Sequence, residues 1–319
     1  MRILPKFSLH LKTAGAVLNL LFYKGFWRPL EIFTRSPVRE ERLVESLSGH
    51  TLRLQIWRPK KSNRKSAAAM IVYVPFVESG SNDPRLVNLA CTFARAGFVV
   101  AAPSRTEDAF MVNLKDIDDV VSVVRFLRHN SRLNISTCGL FGISSYNGAA
   151  IAAAADPRIK DFISFVISFA GYYDIKNVLR FVLTGQYSYK DTMGTAKPDF
   201  FAQQILRKQL EYYHTDAESL LTKPEFEKLR RGLSPSSFVD QLKADFFIIH
   251  STDDTMIPYT ESMQLAEALK PYVPVHLILT SVFEHGTHRE ASLRNIRRHY
   301  LPAMIASYKF LYALLSKHL

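Results

Sequence analysis

The chain has 319 residues, 47% hydrophobic and 12% aromatic, which is enough for a large globular core. Lys and Arg number 41 against 29 Asp and Glu, so the formal net charge is +12 at pH 7, a balance that favours anionic surfaces such as lipid headgroups or nucleic acid. The basic residues are dispersed, however, and neither zinc-ligand spacing nor an aromatic-basic RNA-binding signature accompanies them. We therefore expect no nucleic-acid partner.

Residues 1–41 precede the first strand pattern and form an amphipathic segment. Their most apolar stretch, 14–23, is shorter than the roughly 20 residues that a membrane-spanning helix needs. No small-residue cleavage site follows it, so we expect neither a transmembrane helix nor a signal peptide. Two interpretations stay open: the segment lies on an anionic membrane surface, or it is a helix that packs on its own domain.

From Arg42 onward, strand and helix patterns alternate. The predicted elements in chain order are a hairpin over 42–57 turning at 48–50, a strand at 70–74, a helix at 84–96, a strand at 98–102 stopped by Pro103, a helix at 114–129, a strand ending at Phe141, a helix after Ser145, a strand at 162–169, a strand at 245–249, a helix near 261–269, a strand at 275–280 and a basic helix at the end. This alternation predicts one α/β domain over 42–319, with a mostly parallel sheet covered by helices on both faces.

The alternation is interrupted at about 174–233. Helical, aromatic and charged residues replace the strand signals there. We predict a helical insertion, or cap, over one end of the sheet.

The stretch GLFGISSYNGAAIAAAA at 139–155 indicates a strand, a sharp turn and a helix. This geometry exposes a nucleophilic serine at the carboxyl edge of a sheet. The usual pattern is Gly-x-Ser-x-Gly, and centring it on Ser144 places Gly142 correctly but puts Tyr146 where a small residue is usual. Centring it on Ser145 fits neither flanking position. We favour Ser144 as the nucleophile and keep Ser145 as the alternative.

A loop with two carboxylates, HSTDDTMIP at 250–258, follows a predicted buried strand. Asp254 is the better candidate for the acid of a triad, and Asp253 is expected to cap the loop or lie at the surface. His250 ends a core strand, so we expect it to be a hydrogen-bonded packing residue.

The last predicted strand leads into a loop that carries His285 and His288. His285 lies closest to the strand end and is the favoured base, whereas His288 is interpreted as a surface residue. A serine hydroxyl is a poor nucleophile until an imidazole takes its proton, and a carboxylate holds that imidazole in the useful tautomer. The chain order Ser144, Asp254, His285 therefore predicts a catalytic triad.

Six stretches together resemble the α/β-hydrolase superfamily, nearest to its dienelactone hydrolase-like and prolyl oligopeptidase-like esterase branches. They are residues 71–75, Asp83-Pro84-Arg85, GISSYNG at 142–148, AGYYD at 170–174, HSTDDTMIP at 250–258 and FEH at 283–285. The resemblance implies cleavage of an ester, amide or thioester through an acyl-enzyme formed on Ser144. It also implies an oxyanion hole made by the backbone N–H of Ser145 and that of Phe76 or Val77. This chemistry requires neither a metal nor an organic cofactor.

Three departures from the family pattern, at Tyr146, Pro75-Phe76 and Ser251, place larger residues where glycine is common. They keep a second hypothesis open, a catalytically inactive protein of the same fold that binds a ligand. The aromatic residues of the insertion predict a small-molecule, ester-like substrate with an apolar group. The only cysteines, Cys91 and Cys138, lie in apolar contexts, so we expect buried thiols, no disulfide framework and a cytoplasmic location.

Overall fold

An eight-stranded sheet organises the protein, whose computed structural model describes residues 3–22, 29–60, 67–73, 82–105, 113–212, 214–285, 287–288 and 292–319. Its strands are β1 (Val38–Glu45), β2 (Thr51–Arg58), β3 (Ala67–Tyr73), β4 (Val99–Arg105), β5 (Ile135–Ile143), β6 (Ile163–Phe169), β9 (Asp245–Ser251) and β10 (Val275–Thr280). Their order across the sheet is β1-β2-β4-β3-β5-β6-β9-β10. All neighbours from β4 to β10 pair in parallel, and only β1 with β2 and β2 with β4 are antiparallel.

Two further strand pairs lie outside this sheet. They are β7 (Gln186–Tyr189) with β8 (Thr192–Thr195), and β11 (Phe283–Glu284) with β12 (Thr287–His288). The helices are α1 (Ile3–Leu21), α2 (Pro29–Phe33), α3 (Pro84–Ala96), α4 (Lys115–His129), α5 (Asn147–Ala155), α6 (Ile175–Thr184), α7 (Phe200–Tyr212), α8 (Ala217–Leu220), α9 (Pro224–Leu233), α10 (Thr260–Leu269), α11 (Leu293–Asn295) and α12 (Leu301–His318). None of the described helices combines the length and the apolar character that crossing a membrane requires.

The sheet has a hydrophobic core on each face. Apolar residues of α4, α5 and α10 form one core with the sheet, and those of α1, α3 and α12 form the other. Helices on both faces explain why the parallel strands are apolar runs with little alternation. The predicted fold class, a mostly parallel sheet in an α/β-hydrolase arrangement, is confirmed.

Helix α1 belongs to the second of these cores. Val17 and Leu21 are buried, and the Asn88 side chain of α3 donates to the backbone carbonyl of Asn19 at 3.1 Å. Lys12 donates to the carbonyl of Ala96, at the end of α3. The described part of the N-terminal segment therefore packs on the α/β domain.

The insertion between β6 and β9 carries helices α6 to α9. Sequence reasoning missed its β7–β8 hairpin, because four-residue strands in a polar, aromatic stretch give almost no periodic signal. Arg230 of α9 donates to Asp174, the residue that caps the N-terminus of α6, at 2.7 Å. The Tyr172 hydroxyl donates to the carbonyl of Leu233 at 3.2 Å. These bonds fix the C-terminal end of the insertion to the loop that leaves β6.

Two local predictions were wrong. Pro103 does not stop its strand: β4 runs to Arg105, because it pairs with β3 only as far as Ala101 and beyond that point needs ladder bonds only toward β2. Strand β5 does not end at Phe141 but continues to Ile143. Of the two cysteines, Cys138 is buried as expected, whereas Cys91 is only half-buried.

Candidate active site

Ser144 occupies a sharp turn between β5 and α5. Its φ is +53°, in the left-handed region that is uncommon for a residue other than glycine. A Cβ on Gly142 would lie 2.7 Å from the Cα of Asn147, so only glycine fits where the strand meets the helix. A strained serine between a strand and a helix is the geometry of a nucleophile elbow.

Ser144 and His285 face each other across the end of the sheet. The distance from Ser144 Oγ to His285 Nε2 is 2.9 Å, and that from His285 Nδ1 to Asp254 Oδ2 is 2.7 Å. A carboxylate only accepts, so Nδ1 carries the hydrogen and a neutral imidazole leaves Nε2 free to accept from the serine. The structure thus brings together the three residues predicted to form a triad.

The carboxyl group of Asp254 is buried and held on both oxygens. Oδ1 accepts from the backbone N–H groups of Met256 and Ile257, at 2.8 and 2.9 Å. Burial by itself would raise the pKa of Asp254, but the His285 and His250 imidazoles outweigh it and leave that pKa below its usual value. Asp254 is therefore ionised beside His285. Asp253, the other carboxylate of the loop, is exposed.

His250 braces the loop that carries Asp254. Its Nδ1 lies 2.7 Å from the Ser262 hydroxyl, and its Nε2 lies 2.9 Å from the carbonyl of Ile257. Nε2 must donate to that carbonyl, so Nδ1 accepts from Ser262. Because Nε2 is also 3.4 Å from Asp254 Oδ2, His250 supports the acid. The sequence indicated a packing histidine here, and nothing in its spacing pointed to Asp254.

Ser145 follows Ser144 in the elbow, and its hydroxyl makes no hydrogen bond to His285. Its hydroxyl is buried and has no hydrogen-bond partner among the described residues. Its backbone N–H remains in the predicted position for an oxyanion hole, directly after Ser144. The other predicted contributors, Phe76 and Val77, lie outside the described residues. The side chain of His288 is also outside the description, although its backbone pairs with Phe283.

Tyr146, the least expected residue of the elbow, packs into the core. Its ring is buried and meets Tyr73 edge to face, with ring centroids 4.6 Å apart. The position that requires glycine is 148, because a Cβ there would lie 2.1 Å from the carbonyl oxygen of Leu233. The large side chain after the nucleophile therefore leaves the turn intact.

Ser144 and His285 line a cavity of about 550 Å³. Other residues of its wall come from the cap helices α6, α7, α8 and α9, and from α1, α3 and α12. Most of these side chains are aliphatic or aromatic. Within the described part of the chain, no three His, Cys, Asp or Glu side chains gather as a metal site would require.

The fold and this arrangement at the carboxyl edge of the sheet define a member of the α/β-hydrolase superfamily. More narrowly, the chain belongs to the BD-FAE family, whose sequence model matches residues 54–269, more than half of its length. No curated protein sequence matches the chain.

Several solved structures share this fold. The uncomplexed acylaminoacyl peptidase of Pyrococcus horikoshii aligns with a TM-score of 0.61 at 18% identity, covering 90% of this chain and 43% of the peptidase. The Pyrococcus furiosus esterase Pf2001 gives 0.55 at 15% identity, with 90% and 93% covered. Est1E from Butyrivibrio proteoclasticus gives 0.56 at 14% identity, with 87% and 99% covered. The chain thus spans less than half of the acylaminoacyl peptidases it matches, and at these identities the likeness is one of fold.

Proposed function

We propose that this protein is a serine hydrolase that cleaves a carboxylic ester, or a related amide or thioester, through an acyl-enzyme. The observation that carries the proposal is the 2.9 Å contact between the Oγ of a strained Ser144 and His285 Nε2. Membership of the BD-FAE family and the likeness in fold to esterases support it.

In the first half of the reaction, Ser144 Oγ attacks the carbonyl carbon of the ester while His285 Nε2 takes the serine proton. The ionised Asp254 stabilises the imidazolium that forms, and Met256 and Ile257 hold that carboxylate in place. When the bond to the alcohol oxygen breaks, His285 gives its proton to that oxygen. The alcohol leaves, and the acyl group stays on Ser144.

In the second half, water attacks the acyl carbon and His285 takes a proton from it. The Oγ–carbon bond breaks, the proton returns to Ser144 and the free acid departs. The negative oxygen of each tetrahedral intermediate needs nearby donors. We assign these to the backbone N–H of Ser145, supported by the N-terminal end of α5, and to that of Phe76 or Val77.

The substrate we propose is a small, ester-like molecule with an apolar group, because apolar side chains dominate the cavity around Ser144. The charged residues that line it, Asp83 and Arg85, pair with each other at 2.9 Å. An apolar wall of this kind selects for an uncharged group.

Pre-steady-state kinetics with p-nitrophenyl butanoate test this function. We expect a rapid burst of p-nitrophenol, in proportion to the enzyme, followed by slower turnover as the acyl-enzyme hydrolyses. Ser144→Ala, shown to be folded by circular dichroism, should release none above background. Absence of both burst and turnover in the folded wild type would overturn the proposal and favour a protein that only binds a ligand.

A further inference from the structure

Two different sets of helices line the cavity around Ser144. We call the part of the cavity that the cap helices line the outer lobe, and its lining includes Val178, Ile205, Leu206 and Phe226. We call the part that the sheet and helices α1, α3 and α12 line the inner lobe, and its lining includes Val17, Leu21, Phe93, Ile167, Phe310 and Leu311. Ser144 and His285 line the same cavity.

The inner lobe borders the hydrophobic core. Phe93, Ile167 and Phe310 each have at most 4% of their surface exposed and belong to the core that includes α1 and α12. Protein cores are close-packed, with few voids larger than a water molecule. An apolar space offers water too few hydrogen-bond partners to fill it well. The apolar, buried lining of the inner lobe is therefore suited to an apolar occupant.

The outer lobe is less enclosed. Phe201, at the start of α7, is 42% exposed although it lines the cavity. In an acyl-enzyme mechanism the alcohol leaves first, while the acyl chain stays attached until water releases it. The exposed side of the cavity therefore suits the departing alcohol, and the enclosed side suits the acyl chain.

We propose that the inner lobe holds a long, unbranched, uncharged acyl chain, so that helices α1 and α12 form part of the substrate site. The proposal rests on the hydrolase function above and narrows its substrate to esters of fatty acids. Each buried methylene adds about fourfold in binding.

A chain-length series with variants of one helix tests this assignment. Ser307 of α12 lines the cavity and is half-buried, whereas Ile305 is 56% exposed and does not line it. Wild-type kcat/KM should rise by about two- to fourfold per added methylene from p-nitrophenyl butanoate to dodecanoate. Ser307→Trp should lower the dodecanoate-to-butanoate ratio at least about tenfold by filling the inner lobe. Ile305→Trp should keep the wild-type ratio, and Ser307→Leu gives a milder block if the tryptophan variant does not fold.

Two results would overturn the assignment. One is a wild-type profile that is flat or falls with chain length. The other is a loss of the long-chain preference in the outer-lobe variant Ile205→Trp with none in the folded Ser307 variants. Labelling every protein with an ethyl fluorophosphonate separates this proposal from the function it rests on. A labelled enzyme with a flat profile contradicts the fatty-acyl assignment alone, whereas a folded wild type that does not label contradicts the hydrolase function.

Discussion

The Ser251 hydroxyl donates a hydrogen bond to the backbone carbonyl of Phe283, and so joins the loop that carries Asp254 to the loop that carries His285. Ser251 is fully buried at the end of β9, and its Oγ also accepts from the backbone N–H of Asp253. Glycine, which is common at this position in the family that the sequence resembles, could not form this bond. This departure from the family pattern therefore links the loop of the acid to the loop of the base.

Ser251→Ala should therefore let the two loops move relative to each other, so that the distance between Asp254 and His285 is no longer fixed. We expect kcat for a short ester to fall on the order of tenfold or more, with little change in KM, because small displacements of catalytic groups are costly. The neighbouring Thr252→Ala removes an exposed hydroxyl that donates to Thr280 and should have almost no effect. Equal kinetics in the two variants would contradict this role of Ser251.

The two adjacent carboxylates of the acid loop give a matched pair of variants. Asp254→Asn leaves the loop bonds from Met256 and Ile257 but removes the charge beside His285, so kcat should drop by about 10⁴-fold. Asp253→Asn changes an exposed side chain and should stay within roughly twofold of wild type. Steady-state kinetics on one ester measure kcat for both variants. A larger loss of kcat in Asp253→Asn than in Asp254→Asn would show that the acid is assigned to the wrong residue.

Glu261 should make stability depend on pH. Burial raises the pKa of Glu261 to about 7, even though the backbone N–H groups of Tyr173 and Asp174 donate to its carboxylate. Since the folded protein holds this proton more tightly than the unfolded chain, the free energy of unfolding should fall as the pH rises from about 4.5 to 7. The loss should be about 3 kcal/mol at most and complete above pH 7.

Glu261→Gln keeps an acceptor for those N–H groups and removes the titration. Denaturant unfolding should show that the free energy of unfolding decreases less between pH 5 and pH 8 in this variant than in the wild type. Glu267→Gln, on the exposed side of the same helix, serves as the control. Its free energy of unfolding should decrease between pH 5 and pH 8 by as much as that of the wild type. A decrease of the same size in all three proteins would exclude Glu261 as the source.

Two leucines of α1 test how far this helix contributes to the fold. Leu21 is 8% exposed and Leu11 is 46% exposed. Leu21→Ala should lower the free energy of unfolding by about 2–3 kcal/mol, and Leu11→Ala by less than about 0.5 kcal/mol. Thermal or denaturant unfolding measures both. Equally small effects of the two substitutions on the free energy of unfolding would contradict this role of α1. If the variants also no longer sedimented with anionic vesicles, the results would favour a segment that lies on a membrane.

The parts of the molecule that sequence reasoning predicted well are those with a local signal. Apolar runs bounded by Gly97 and by turn residues indicated the parallel strands and the helices between them. The chain order of Ser144, Asp254 and His285 was also visible, because each follows the end of a strand and parallel strands share their carboxyl edge. The structure places these three side chains together.

What the sequence left open depends on contacts between distant residues. The choice between Ser144 and Ser145 rests on a backbone angle of +53° and on a histidine 141 positions away. The contact of Tyr146 with Tyr73 and the bond from Ser251 to Phe283 have no periodic signature. The part that α1 and α12 play in the cavity is likewise set by packing of the two ends of the chain.

The site of covalent labelling tests the central claim, that Ser144 is the nucleophile. Wild type, Ser144→Ala and Ser145→Ala would be treated with a fluorophosphonate, and the modified residue identified by peptide mass spectrometry. We predict one adduct on Ser144 in the wild type and in Ser145→Ala, which keeps its backbone N–H, and none in Ser144→Ala. Labelling that survives in Ser144→Ala but disappears in Ser145→Ala would contradict the account and move the nucleophile by one residue.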